Sequence, residues 1–144
     1  MDYYIKSFSE LSTKEFYEIA KLRIAVFVVE QTCPYQEIDA ADEQALHIWM
    51  QEGPTIIGYT RIIDLDTTVT FGRVIIHPSH RGQKLGNRLL EKTLAVINTQ
   101  MPDKPIVISA QAHLTDFYAA YGFVPISDIY LEDNIPHIQM QKGR

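Results

Sequence analysis

The chain has 144 residues, 46% apolar and 22% charged, with a net charge of -5 at pH 7, which predicts one globular domain over residues 1–144 and excludes disordered, collagen-like and low-complexity chains. The acidic balance argues against broad nucleic-acid binding, which requires clustered Lys and Arg. The MDYYIKSFSE start has no signal-peptide pattern, no apolar run reaches membrane-span length, and a single cysteine, Cys33, forms neither an internal disulfide nor a Cys-based zinc site, so a cytoplasmic location is expected.

Tyr3, Ile5 and Phe8, apolar among polar neighbours, predict a short first strand. Ser12 and Glu15 make a capping box, and Phe16, Ile19, Ala20, Arg23, Val26 and Phe27 follow at helical spacing, so a helix is expected from about Thr13 to near Val29. The acidic run from Glu30 to Asp42 contains Pro34 and reads as a long, candidate functional loop with one helical turn. Ala45–Gln51 and Thr55–Ile63, separated by Glu52-Gly53-Pro54, predict a hairpin, and Val69–Ile76 extends it to an antiparallel meander. Beyond Pro78, Leu85, Leu89, Leu90, Leu94, Val96 and Ile97 trace a second helix to about Thr99. Ile106–Ala110 reads as a strand buried on both faces, and Leu114–Tyr121 as a short helix ended by Gly122. Phe123–Tyr130 and Ile135–Met140 read as a closing hairpin around Glu132-Asp133-Asn134. This order gives an α/β (α+β) class with a mixed sheet, in which Val69–Ile76, the second helix and Ile106–Ala110 form a right-handed βαβ unit with parallel strands.

Charge is unevenly spread. No Lys or Arg occurs from Ile24 to Thr60, where Glu30, Glu37, Asp39, Asp42, Glu43 and Glu52 fall, whereas Arg73, Arg81, Lys84, Arg88 and Lys92 are opposed only by Glu91. The two stretches read either as ordinary solvated faces or as an acidic and a basic binding surface. The second possibility carries an expectation: the acidic stretch attracts a cationic amine while the basic one holds an anion, so neutralising Glu30, Asp39 or Asp42 raises the KM for the amine selectively.

The segment from Val74 to Leu90 joins a strand to a helix through a turn containing Gly82 and Gly86. Free N–H groups and the positive dipole end of a helix suit a pyrophosphate there, and the glycines let a ligand approach the backbone, although glycines that serve only the turn or packing give the same spacing. Neither the Walker pattern nor the dinucleotide fingerprint is present.

Arg81-Gly82-Gln83-Lys84-Leu85-Gly86 resembles the R/Q-x-x-G-x-G/A signature of the GNAT N-acetyltransferase superfamily, with Lys84 where the middle glycine is usual. Phe117-Tyr118-Ala119-Ala120-Tyr121-Gly122-Phe123 is similar to the family's F/L-Y-x-x-x-G-F run, and the likeness extends over nearly the whole chain, nearest to the ElaA-like branch. The resemblance implies a mostly antiparallel, twisted sheet of about six or seven strands with a central parallel pair, flanked by helices. It further implies acetyl-CoA as co-substrate without a metal, its pantetheine beside Val74 and Ile76 and its pyrophosphate at Arg81, Gly82, Gln83, Lys84, Leu85 and Gly86. The implied reaction is direct acetyl transfer to a primary amine on a small molecule or peptide, with an N–H near Ile76 stabilising the oxyanion and Tyr118 protonating the departing thiolate. Aromatic core packing is the alternative role for Tyr118.

Attack requires a deprotonated amine, yet Val69–Ile76 contains no carboxylate. Glu30, Asp39, His47, His113 and His137 are the candidates for the acceptor side and the general base, with a structural role as the alternative for each histidine. The residues leave three other readings open: a metal at His77 and His80, a Cys33 nucleophile, and a CoA-binding sensor or interaction module without turnover. Homodimerisation through exposed strands near the C-terminus is also expected to be open to such a fold.

Overall fold

The capping box closes as its spacing predicts: Ser12 Oγ accepts from Glu15 N at 3.0 Å, Glu15 Oε1 accepts from Ser12 N at 2.8 Å, and α1 (Thr13–Arg23) follows. In this computed structural model, which describes residues 1–143, the first helix does not run on as α to Val29. Ile24–Glu30 opens into a wider π-helical turn, where Gln31 N reaches Val26 O and Cys33 N reaches Val28 O. The β-branched Ile24, Val26, Val28 and Val29 crowd the preceding turn of an ordinary α-helix, which favours the looser winding.

The strands are β1 (Asp2–Ser7), β2 (Leu46–Glu52), β3 (Thr55–Asp64), β4 (Val69–Ile76), β5 (Ile106–Gln111), β6 (Val124–Pro125), β7 (Tyr130–Glu132) and β8 (Ile135–Lys142). They form one sheet in the order β1-β2-β3-β4-β5-β8-β6, with β7 also on β8. Every pairing is antiparallel except β4 with β5. The helix α2 (Leu85–Gln100) makes the crossover between that parallel pair, and α3 (Thr115–Ala119) follows β5.

Each face of the sheet has its own core. On one, Ile48, Ile57, Phe71, Ile108 and Ala110 pack with Leu89, Leu90 and Ile97 of α2 and Tyr118 of α3. On the other, Trp49, Tyr59 and Ile75 pack with Ile19 and Leu22 of α1.

The structure corrects three details of the sequence reading. Among the described residues there are eight strands rather than about six or seven, because Phe123–Tyr130 is interrupted: Pro125 lacks an N–H, and beyond it Ile126 N donates to Gln139 O while Ser127 Oγ accepts from Gln139 N. β5 is buried on one face only, with Ser109 exposed on the other. The outer side of β8 is covered by β6, β7 and these links, so the C-terminal end of the sheet offers only short edges for pairing with another chain. No helix among the described residues is long and apolar enough to cross a membrane.

Candidate active site

The parallel pair separates almost as soon as it forms. β4 and β5 are in register only at Val69 and Ile106, where Val69 N donates to Pro105 O at 3.0 Å. A bulge between β3 and β4, with Arg73 in the left-handed region at φ +54°, then turns β4 away. His77 N donates to Ile57 O at 2.8 Å on the β3 side, so by strand alternation the amides of Ile76 and Val74 face the opening gap. A cavity of about 610 Å³ fills it, bordered by Phe71, Val74 and Ile76 of β4, Ile108 and Gln111 of β5, and Tyr118 of α3.

The turn between β4 and α2 closes one end of this cavity. Gly82 has φ +82° and Lys84, which caps α2 without a side-chain hydrogen bond, has φ +59°. Lys84 therefore adopts the conformation for which a glycine would be the easier residue, and the backbone path survives the substitution. Leu85 is buried in the core, so only its backbone is available to a ligand. A side chain built at Gly86 meets nothing nearer than the Phe117 ring at 3.7 Å, and Gly86 itself lines the cavity. Arg81 Nε donates to Ile76 O at 3.2 Å, and its guanidinium forms a forked ion pair with Glu30 at 2.5 and 2.8 Å.

Tyr118 is 5% exposed, packs edge-on to Phe117 and Phe123, and borders the cavity. Burial pushes its phenol up to about 12, which keeps it protonated and available as a donor. Core packing and a protonated phenol at the cavity border thus coexist in one residue.

The base candidates separate clearly. Glu30 lies outside the cavity lining, and its hydrogen bond from Arg81 holds its carboxyl below the usual range. His47 is fully buried between Tyr59 OH, 2.6 Å from Nδ1, and the Asp42 carbonyl, 3.0 Å from Nε2, so its role is structural. Asp39 accepts from Arg61 at 2.6 and 3.1 Å, again outside the lining. His113 and His137 do border the cavity. The His77 and His80 pair instead organises the turn, with His77 Nδ1 accepting from Ser79 N at 3.1 Å. The Cys33 thiol donates to the Asp133 carbonyl at 3.2 Å.

The acidic stretch is not a free cationic-ligand surface, which overturns the charge-sorting expectation. Arg23, wholly buried, binds both carboxylate oxygens of Glu37 at 3.0 and 3.1 Å and both of Asp42 at 2.6 and 3.2 Å. Arg61 bridges Asp39 and Asp42, and Arg73 reaches Glu37 at 2.7 Å while lying over the Tyr35 ring. The charges of Glu37, Asp39 and Asp42 are matched by arginines from α1, β3 and β4.

Sequence reasoning also missed Ser109, Tyr130 and Glu132, although a signal was present. Asp133 and Asn134 both have φ above +50°, the geometry of a two-residue hairpin turn, which pairs Glu132 with Ile135 and Tyr130 with His137. Since Gln111 pairs with His137, strand alternation puts Ser109, Tyr130, Glu132 and His137 on one face beside the gap. Ser109 Oγ donates to Glu132 Oε1 at 3.0 Å and is also hydrogen-bonded to Tyr130 OH.

Comparison with known proteins agrees with this architecture. The acetyltransferase (GNAT) domain model matches residues 10–144. Protein ElaA of Escherichia coli strain K12 is 45% identical over 139 residues, covering 93% of this chain and 91% of that protein. Among solved structures, an acyl-CoA N-acyltransferase from Pseudomonas aeruginosa superposes with a TM-score of 0.95 at 40% identity, and E. coli ElaA with 0.95 at 42%, each match covering 99% of both chains. With its signature turn, its splayed parallel strands and these relatives, the chain belongs to the GNAT acetyltransferase family, in its ElaA-like branch.

Proposed function

We propose that the protein transfers the acetyl group of acetyl-CoA directly to a primary amine. The observation that carries this reading is the gap beyond Val69 and Ile106, with unpaired β4 amides along one wall, the α2 N-terminus at one end and the Tyr118 phenol on the other wall. Acetyl-CoA supplies the activated acetyl group and fits such a gap as a substitute strand. Val74 and Ile76 donate N–H groups to its pantetheine arm, and the 81–86 turn with the first amides of α2 receives its pyrophosphate. An amide near Ile76 stabilises the oxyanion that forms when the amine attacks the thioester. Tyr118 donates its proton to the sulfur as the C–S bond breaks.

Calorimetric titration with acetyl-CoA tests the reading. The wild type is expected to bind, and Gly86→Glu, whose Cβ meets nothing nearer than Phe117 at 3.7 Å but which puts a negative charge at the 81–86 turn, is expected to lose binding. A wild type that does not bind acetyl-CoA would overturn it.

A further inference from the structure

The β7–β8 hairpin carries a histidine and a carboxylate side by side on the border of the cavity. His137 Nδ1 lies 2.7 Å from the Ile135 carbonyl, which can only accept, so Nδ1 holds a proton and, in the neutral ring, Nε2 presents its lone pair. Facing Nε2 at 3.6 Å is Glu132 Oε2. The other oxygen, Oε1, already receives the Ser109 hydroxyl, and Tyr130 OH in turn donates to Ser109 Oγ. The His137 ring is stacked on Tyr130 and is nearly buried, which fixes its orientation. With the ring neutral, two acceptors stand side by side, 3.6 Å apart, with no hydrogen between them. A group bearing several N–H donors and a positive charge satisfies both at once.

We propose that Glu132 and His137 form the acceptor subsite, binding the substrate as a primary ammonium and removing its proton at His137 Nε2. The inference rests on the acetyltransferase reading and supplies the base that β4 lacks. Ser109, Glu132 and His137 lie on the sheet face opposite the core that holds Tyr118, so amine and thiolate are served from opposite sides of the gap. The proton balance closes. The ammonium gives one proton to Nε2, and the neutral amine forms the C–N bond. The tetrahedral intermediate breaks its C–S bond as Tyr118 protonates the sulfur. The nitrogen's second proton restores the Tyr118 phenol, and the imidazolium releases the first to solvent. Glu132 stabilises the imidazolium between these events and is a positioning residue, whereas His137 touches the reacting nitrogen.

The test uses the whole protein, uniformly labelled with 15N and loaded with CoA. Long-range proton–nitrogen spectra are expected to show His137 as the Nδ1–H tautomer, with Nε2 moving on addition of butylammonium chloride but not of tetramethylammonium chloride, which has the charge without the donors. The opposite tautomer, or an Nε2 signal indifferent to butylammonium, overturns the proposal. Thiol release from acetyl-CoA with butylamine, spermidine and a peptide with a free amino terminus gives the second readout. His137→Gln is expected to lower kcat about 100-fold and abolish the acid limb of its pH profile, with acetyl-CoA affinity unchanged. Glu132→Gln is expected to raise the amine KM about tenfold with a smaller change in kcat. The other titratable groups bordering the subsite are Tyr130 on β7, Asp133 in the turn, His113 after β5, and Cys33 and Tyr35 on the facing loop; His113→Gln is expected to leave the acid limb in place. A His137→Gln enzyme with unaltered kcat and profile overturns the base assignment. Loss of acetyl-CoA binding by the wild type would instead remove the acetyltransferase reading, and calorimetry separates the two.

Discussion

At the scale of single residues, Tyr118 and Lys84 show how local environment decides chemistry. Burial raises the Tyr118 phenol to about 12, so its protonated form persists across the working range. Tyr118→Phe is expected to lower kcat about 100-fold with little change in acetyl-CoA KM, because a positioned proton donor is worth that much and the ring packing remains. The sign of the shift also predicts that this tyrosine produces no basic limb below about pH 11 in the wild-type profile. A kcat within threefold of wild type would leave only the packing role. Lys84 is a different case, since its φ of +59° costs a side chain roughly 1 kcal/mol that glycine escapes, less the extra freedom glycine has when unfolded. Urea unfolding should show Lys84→Gly more stable by about 0.5 kcal/mol and Lys84→Val less stable by about 1–2 kcal/mol, β-branched residues being poorest in this region. Equal midpoints for the two variants would contradict the strained capping geometry.

At the scale of elements, the long 31–43 loop has one 3-10 turn, Ala40–Glu43, and is otherwise ordered by ion pairs. Burial by itself would raise Asp42, but the hydrogen bond and charge of Arg23, with Arg61 beside it, hold it below the usual carboxylate range; Asp39 is lowered chiefly by Arg61. For a depressed carboxyl the stabilisation is present above the unfolded value near pH 4 and is lost as pH falls through the folded one. Unfolding midpoints are therefore expected to be level near neutrality and to fall below about pH 4, with a shallower fall in Asp42→Asn. Arg23→Met leaves Glu37 and Asp42 buried with too little positive charge and should cost about 3–5 kcal/mol. A loss under 1 kcal/mol would mean that the loop is held by something else. This network also marks where the sequence stops being legible. β4 and its neighbours were readable because alternation and turn residues are local signals, and the 81–86 turn because its two glycines lie only four residues apart. Arg23 and Glu37, or Arg61 and Asp39, are brought together only by tertiary packing, so the loop read as an acidic surface when its charges are internally matched. The π-helical turn was hidden for a related reason, since its apolar spacing fits an α-helix as well. His137 was visible as a candidate, but its partner Glu132 became evident only with hairpin register.

At the scale of the whole molecule, one sheet carries two cores and opens between its two parallel strands, so the centre of the sheet is also its least completed part. The hydrogen bonds missing between β4 and β5 are the ones a bound pantetheine arm would supply. Binding to the native state alone adds about 2.7 kcal/mol at a ligand concentration 100 times Kd. For a domain of this size that corresponds to a rise in Tm of roughly 6–10 °C. Gly86→Glu should keep the ligand-free Tm within a few degrees of wild type and show no such rise, since a Cβ there makes only an ordinary contact with Phe117 and Gly86 borders the cavity. Hydrogen exchange gives the same prediction in space. The Ile75 and His77 amides, turned toward β3, should be protected with or without ligand, whereas those of Val74 and Ile76 should exchange quickly in the free protein and slow at least tenfold with acetyl-CoA. Protection spread evenly over all four amides would mean that the ligand tightens the sheet generally instead of completing it as a strand. Slowing confined to Val74 and Ile76 would locate the pantetheine on the open edge of β4, in the cavity that Tyr118 and His137 border.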